Sequence, residues 1–307
     1  MKNYIIIFLS FLFVNCTNDS NKVYLTEALE IIESNSIVVS GIDWEKIKTK
    51  AYETLEDKES TEDIHEIIKD VLKQLGDNHS TFISPSKKNN IANNNNRAIA
   101  INHKLIENNI GYINIPSFSG NGRLSIQFSK RIIEKITLLD DSNVQNWIID
   151  LRGNTGGNMW PMLLGLSPLL EEGVAGYFIQ KKDTLSWSLE NGKVLEGNKT
   201  RLKFAKPYQL KTKKKAIAIL VSNKTCSSAE AVVISFMSRP NVKIIGTETC
   251  GLTTSNSVFH LKDGSLLVLT TSVFADRNKN IFGKKIQPDI SSNKPLEEAL
   301  IWMNNEF

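Results

Sequence analysis

Two stretches of this chain run the same way: an apolar segment of strand length breaks into small residues, and a helical pattern follows. In the first, Trp147 to Ile149 ends at Asp150 and Arg152, and Gly153, Gly156 and Gly157 precede a helical run from about Met159 to Leu170. In the second, Ala216 to Val221 gives way to Ser222-Asn223-Lys224; Thr225 to Glu230 then open an apolar helix through Ala231, Val232, Val233, Ile234, Phe236 and Met237. A short apolar run bounded by turn residues reads as a buried strand, and hydroxyls followed by a carboxylate read as the start of a helix. Strands that alternate with helices from Arg97 onwards predict an α/β fold.

These junctions are also where chemistry can sit. A serine between a strand and a helix is held by backbone fixed on both sides, and the helix N-terminus favours negative charge developing beside it, which suits a nucleophile. Serine is equally a common N-cap, so the segment alone leaves a purely structural role open. The glycines of LRGNTGG present bare amides to an anion. The turn lacks both the Lys-Ser/Thr ending of a P-loop and the spacing of a dinucleotide-binding fold.

At the start of the chain, Lys2 precedes an apolar run from Tyr4 to Val14 and then Cys16. The run is too short to span a bilayer and reads as the core of a secretion signal over residues 1–16. A cysteine directly after it, followed by Thr17-Asn18-Asp19-Ser20, resembles the lipobox of bacterial lipoproteins, although Asn15 stands where a small residue is usual. Removing the signal leaves about 290 residues, enough for one large domain with a small appendage. The net charge of +4 is modest, and the dense basic run Lys211 to Lys215 reads as a solvated loop rather than a nucleic-acid contact. Beyond Cys16 there are only Cys226 and Cys250, read as two buried free thiols. His65, His79, His103 and His260 have no metal-ligand spacing, so neither a metal nor a cofactor is expected.

Residues 23–85 read as a helical N-terminal subdomain, whose last helix starts at the capping box Ser60 to Asp63 and ends at Gly76. Asp77, His79 and Ser80 then crowd the turn LGDNHS. An Asn-rich loop, 86–97, separates this subdomain from the main domain, 98–307. Within the latter, GYINIPSF reads as a strand, Leu124, Phe128, Ile132 and Ile136 form one helical stripe, and Tyr177 to Lys193 read as a hairpin region. Asp263-Gly264 predicts another hairpin.

Taken in order, LGDNHS, GYINIPSF, IIDLRGNTGG, TCSSAE, KIIGTETCG, LKDGSLLVLT and GKKIQPDI resemble the tail-specific, or C-terminal processing, serine peptidases and the related core of tricorn protease. The resemblance implies a ClpP/crotonase-like catalytic domain with a spiral β-sheet flanked by helices. It implies Ser227 as nucleophile, His79 as general base, and an oxyanion hole from the amides of Ser228 and Gly156 or Gly157, with Asp77 or Ser80 as candidates to orient the imidazole. Two positions depart from the family. Leu252 occupies the place of the lysine used by Ser/Lys members, and Phe282 that of the last acidic residue of tricorn-like members. The Asn-rich loop stands where many members carry a PDZ domain, so none is expected.

The implied protein is an exported serine endopeptidase of the bacterial cell envelope, in the periplasm or at the outer membrane. It would act on protein or peptide substrates and be held to the membrane by lipid on Cys16. A carrier lipoprotein that keeps the fold without the chemistry is the alternative that Leu252 and Phe282 favour. With histidine as base, hydrolysis is expected to rise with pH through one ionisation in roughly the 6 to 7.5 range; Lys284 and Lys285 are the other candidate bases. Because each buried methylene of an acyl chain adds about 0.8 kcal/mol of membrane affinity, Cys16→Ala should move the protein from the membrane to the soluble fraction on cell fractionation.

Overall fold

The computed structural model describes residues 14–56, 58, 60–87, 100–106 and 109–306. Most of the expected signal segment and the Asn-rich stretch from residue 88 lie outside these; Cys16 falls in the first turn of helix α1. Two compact units emerge: one from the N-terminal residues together with 256–271, the other from the remainder. Along the chain the elements are α1 (Val14–Asn35), α2 (Trp44–Leu55), α3 (Thr61–Leu75), β1 (Thr81–Ile83), β2 (His103–Ile106), β3 (Ile110–Asn114), α4 (Gly122–Asp140), β4 (Asn146–Asp150), α5 (Met159–Leu166), β5 (Gly173–Gln180), β6 (Thr184–Glu190), β7 (Lys193–Glu196), β8 (Lys199–Lys203), β9 (Ala216–Val221), α6 (Ser228–Phe236), β10 (Val242–Gly246), β11 (Thr254–His260), β12 (Leu266–Asp276), β13 (Ile290–Ser291) and α7 (Pro295–Glu306).

In the N-terminal unit, α3 begins at the expected capping box: Asp63 N–H donates to Ser60 Oγ at 3.1 Å and Ser60 N–H to Asp63 Oδ2 at 3.3 Å. Its apolar stripe, including Ile64, Ile68, Val71 and Leu75, packs with Leu25, Leu29 and Ile32 of α1. Leu261, Leu267 and Leu269 complete this core. The hairpin marked by Asp263-Gly264, expected within the 98–307 domain, therefore belongs with the helices, and β1 pairs antiparallel with its second strand. Burial accounts for this assignment, since Leu261, Leu267 and Leu269 are buried in the same core as the helical stripes. His65 from α3 reaches the same hairpin, its Nε2 2.7 Å from Asp263 Oδ2.

The second unit contains a six-stranded sheet in the order β13-β10-β9-β4-β3-β2, parallel from β13 to β3. Alternate residues separate into two cores. Trp147, Ile149, Ile217, Ile219 and Val221 face one that takes in Phe128, Ile132 and Ile136 of α4, the apolar residues of α5, and Val232 and Phe236 of α6. Ile148, Ala216, Ala218 and Leu220 face another that is covered by Ala299, Trp302 and Met303 of α7. A strand buried on both sides needs no polar alternation, which is why β4 and β9 read as unbroken apolar runs. Helix α5 is shorter than expected, ending at Leu166.

An antiparallel meander, β5-β6-β7-β8, extends from the end of β12. Trp187 of β6 is fully buried among Phe178 and Phe274, and its Nε1 donates to Ser235 Oγ of α6 at 2.9 Å. Truncation there leaves a large cavity and removes the indole donor from Ser235 Oγ, which keeps its bond to Ala231 O at 2.8 Å. Trp187→Ala should therefore lower stability by about 3 to 5 kcal/mol, measured from the urea unfolding midpoint.

Candidate active site

Strand β9 runs into a turn that ends on Ser227, whose backbone adopts φ 52° and ψ −116° immediately before α6. A non-glycine residue there carries strain on the order of 1–3 kcal/mol, so the surroundings must enforce it. They do so through a series of hydrogen bonds to the glycine turn. Ser222 Oγ donates to Arg152 O at 2.5 Å, Thr225 Oγ1 to Leu151 O at 2.9 Å, Cys226 N–H to Asn154 O at 3.0 Å and Ser228 Oγ to Gly157 O at 2.6 Å. The result is a sharp strand-to-helix turn with a half-buried hydroxyl at its apex.

The glycine turn is built around Asn154, which is fully buried. Its Nδ2 donates to Ile115 O at 3.1 Å, and its Oδ1 accepts Gly156 N–H at 2.9 Å. Gly156 and Gly157 have φ of 98° and 114°, and a Cβ on Gly156 would lie 2.7 Å from Cys226 O and 3.0 Å from Ser227 Cβ. Only glycine lets the two turns approach this closely. The Gly156 amide, one of the expected oxyanion donors, is engaged by Asn154 Oδ1. Gly157 N–H makes no hydrogen bond among the described residues, and Ser228 N–H lies at the start of α6, where amides have no intrahelical acceptor.

At the end of β4 the buried carboxylate of Asp150 binds Arg152 through Nε at 2.9 Å and Nη2 at 2.6 Å, and accepts Tyr112 OH at 2.6 Å. Burial pushes the Asp150 pKa up, but the bonds from Arg152 and Tyr112 outweigh it and hold the group below the usual carboxylate range. Tyr112, half-buried beside that charge, is pushed up to about 12.

Glu230 is the acid at the centre of this region and is fully buried. Its Oε2 accepts Ser227 N–H at 2.8 Å, while Oε1 accepts Thr249 Oγ1 at 2.5 Å and Gly251 N–H at 3.0 Å. Burial raises its pKa, against the lowering effect of these donors. The sequence marks Glu230 only as a capping carboxylate; its link to the turn 249–251 has no local signal.

His79 belongs to the N-terminal unit. Asp77 Oδ1 accepts the amides of His79 and Ser80 at 3.0 and 2.9 Å, and Ser80 Oγ donates to Asp77 Oδ2 at 2.6 Å. Both candidate orienting groups are thus engaged in shaping the turn. Asn256 Nδ2 donates to His79 O at 2.9 Å, and Thr270 N–H donates to Ser80 Oγ at 3.0 Å. These two strand residues, not evident from sequence, fasten the histidine turn. The His79 imidazole is pushed below its ordinary pKa by burial, with the Asp77 charge acting in the opposite sense.

Residues 109–292 match peptidase family S41. The chain belongs to that family. It is 30% identical to the nisin-resistance protein of Lactococcus lactis subsp. lactis over 94% of this chain and 88% of that one. It is 29% identical to the carboxy-terminal processing protease CtpA of Bacillus subtilis over 62% of this chain, spanning only 37% of that relative's length. Among solved structures, a lipoprotein from Streptococcus agalactiae superposes with a TM-score of 0.80 at 27% identity, covering 99% of this chain and all of that one. The mixed α/β fold expected from the sequence is the fold of this S41 group.

Within this S41 chain the departures from the family pattern have structural settings. Leu252 follows the turn held by Glu230, and Phe282 packs on the main core while its N–H donates to Phe274 O at 2.9 Å. Lys284 and Lys285 are exposed, and Lys285 pairs with Glu248, so neither has the desolvation a lysine base requires.

The reading of two free thiols is overturned: Cys226 and Cys250 form a disulfide, with their Cα atoms 5.3 Å apart. The same bonds that draw the turn 249–251 to α6 bring the cysteines together, including Cys250 N–H to Thr225 O at 3.1 Å. A cross-link closing a loop of this length stabilises by about 3 kcal/mol in the chain-entropy account. Reduction, or the double change Cys226→Ala with Cys250→Ala, should lower the unfolding free energy by that order, as read from denaturant midpoints with and without reductant.

Proposed function

We propose that this S41 chain is a serine endopeptidase of the cell envelope, with Ser227 as nucleophile and His79 as general base. The observation that carries this reading is the strained Ser227 backbone, held at the N-terminus of α6 against a glycine turn that only glycine permits. Ser227 Oγ attacks the scissile carbonyl carbon while the His79 imidazole takes its proton. The tetrahedral oxyanion is received by the amides of Ser228 and Gly157, and collapse to the acyl-enzyme returns the proton to the leaving amine. Water then repeats the sequence and frees Ser227.

The substrates proposed are proteins or peptides; one relative, 30% identical, is named for nisin resistance. The likeness to a streptococcal lipoprotein supports an envelope location with lipid on Cys16. A binding lipoprotein without catalysis is the second reading, favoured by Leu252 and Phe282.

A lowered His79 pKa keeps the imidazole neutral, and so able to accept a proton, to lower pH than an ordinary histidine allows. Hydrolysis should rise through one ionisation lying below the ordinary value of about 6.5 and level off above it, rather than spanning the higher window expected from sequence. Ser227→Ala should abolish peptide hydrolysis and labelling by a serine-reactive probe while shifting stability by only about 1 kcal/mol. His79→Ala should lose orders of magnitude in turnover, with Lys284→Ala and Lys285→Ala near normal. A wild-type protein that binds peptide but neither cleaves it nor reacts with the probe supports the binding reading instead.

A further inference from the structure

The disulfide between Cys226 and Cys250 joins the two chain segments that meet at the candidate nucleophile. Cys226 is the residue before Ser227, and Cys250 the residue before Gly251. Glu230 serves the next residue of each segment: its Oε2 accepts Ser227 N–H at 2.8 Å and its Oε1 accepts Gly251 N–H at 3.0 Å. The covalent link and the buried acid therefore act on the same stretches of backbone. Glu230 and Thr249 are fully buried, whereas both cysteines are partly exposed, as a redox-active pair has to be.

Cys250 Sγ also lies 3.7 Å from Glu230 Oε2, the oxygen that holds the Ser227 amide. In the disulfide this sulfur has no proton to give. As a thiol it becomes a weak donor beside that oxygen, in competition with Ser227 N–H. Reduction thus removes a cross-link next to Ser227 and offers a rival donor to the acid that positions it. Ser227 is the residue to register such a change, because a non-glycine backbone at φ 52° persists only where its surroundings enforce it.

We infer that the Cys226–Cys250 pair is a redox latch on the nucleophile: the disulfide form holds Ser227 in its attacking conformation, and the dithiol form is silent. The inference rests on the reading of Ser227 as nucleophile. In the switching step a thiolate of a dithiol reductant attacks one sulfur, the Cys226–Cys250 bond breaks and a mixed disulfide forms. The second thiol of the reductant resolves it; the reductant leaves as its own disulfide, and each cysteine ends with a proton. Two electrons pass to the protein, and an oxidising disulfide reverses the transfer. Reducing compartments keep such a pair as thiols and oxidising ones close it, which ties the activity of an exported chain to its arrival outside the cytosol.

Purified wild-type protein equilibrated with reduced and oxidised dithiothreitol at a series of ratios tests this. Alkylation followed by peptide mass spectrometry reads the state of Cys226 and Cys250, while peptide hydrolysis, labelling of Ser227 by a serine-reactive probe, and far-UV circular dichroism are followed on the same samples. Hydrolysis and labelling should fall together with the fraction reduced, by about tenfold or more, since a small misplacement of a reacting group is costly, and should recover on reoxidation. The circular dichroism should stay native throughout. Cys226→Ala with Cys250→Ala should show the low rate of the reduced wild type and no response to dithiothreitol. Amide hydrogen exchange on the wild type gives a readout independent of catalysis: reduction should speed exchange over residues 226–230 and 249–252 and leave β4 unchanged. Equal hydrolysis and labelling in the two redox forms overturn the inference, as does full activity in the double variant or a loss of activity that coincides with global unfolding. An oxidised wild type inert toward both peptide and probe removes the peptidase reading instead; the coupling of the disulfide to the serine turn is then overturned if exchange over 226–230 is the same in both forms, and upheld if it quickens on reduction.

Discussion

One buried carboxylate sets the geometry of the candidate site. Glu230 accepts hydrogen bonds from the Ser227 amide, the Thr249 hydroxyl and the Gly251 amide, and so fixes the beginning of α6 to the turn after β10. A buried acid without such donors would be expelled or protonated; with them, it ties together chain segments about twenty residues apart in sequence. The disulfide between Cys226 and Cys250 spans the same two segments. The strained Ser227 backbone is therefore held from one side by this acid and from the other by the glycine turn, whose carbonyl at Gly157 accepts Ser228 Oγ.

Much of the fold was legible because it follows from burial alone. The unbroken apolar runs of β4 and β9, the stripe of α4 and the capping box of α3 each carry a local pattern that matches what the element packs against. The assignment of the β11 to β12 hairpin failed for the converse reason. Its alternation shows that one face is buried but not which core receives Leu261, Leu267 and Leu269. The length of α5 was overestimated because Ser167 to Leu170 remain largely apolar after the helix ends, and periodicity does not register that.

The site was legible in type and less so in wiring. Ser227, Ser228, Gly156 and Gly157 lie in one unit, and the bond from the Gly156 amide to Asn154 Oδ1, two residues away, distinguishes Gly156 from Gly157. The histidine turn depends on Asn256 and Thr270, two polar residues in strands that look like any solvent-facing position. The cysteines read as free thiols because an apolar neighbourhood is common to buried thiols and buried disulfides; their separation in space is the deciding fact.

The N-terminal unit is discontinuous in sequence, and this bears on the order in which the chain can mature. As it is synthesised, α1, α2 and α3 emerge first, yet the leucines that complete their core arrive only with residues 261–269, after most of the second unit has been made. The early helices, which pack on one another, must wait with the part of their apolar stripes that meets these leucines uncovered, a state that invites aggregation or holding by other proteins. Contacts so distant along the chain also slow folding, because closing the intervening loop costs entropy before any burial compensates. His79 lies in this late-closing unit, so the histidine turn cannot be fastened by Asn256 and Thr270 until the chain has been made through residue 270.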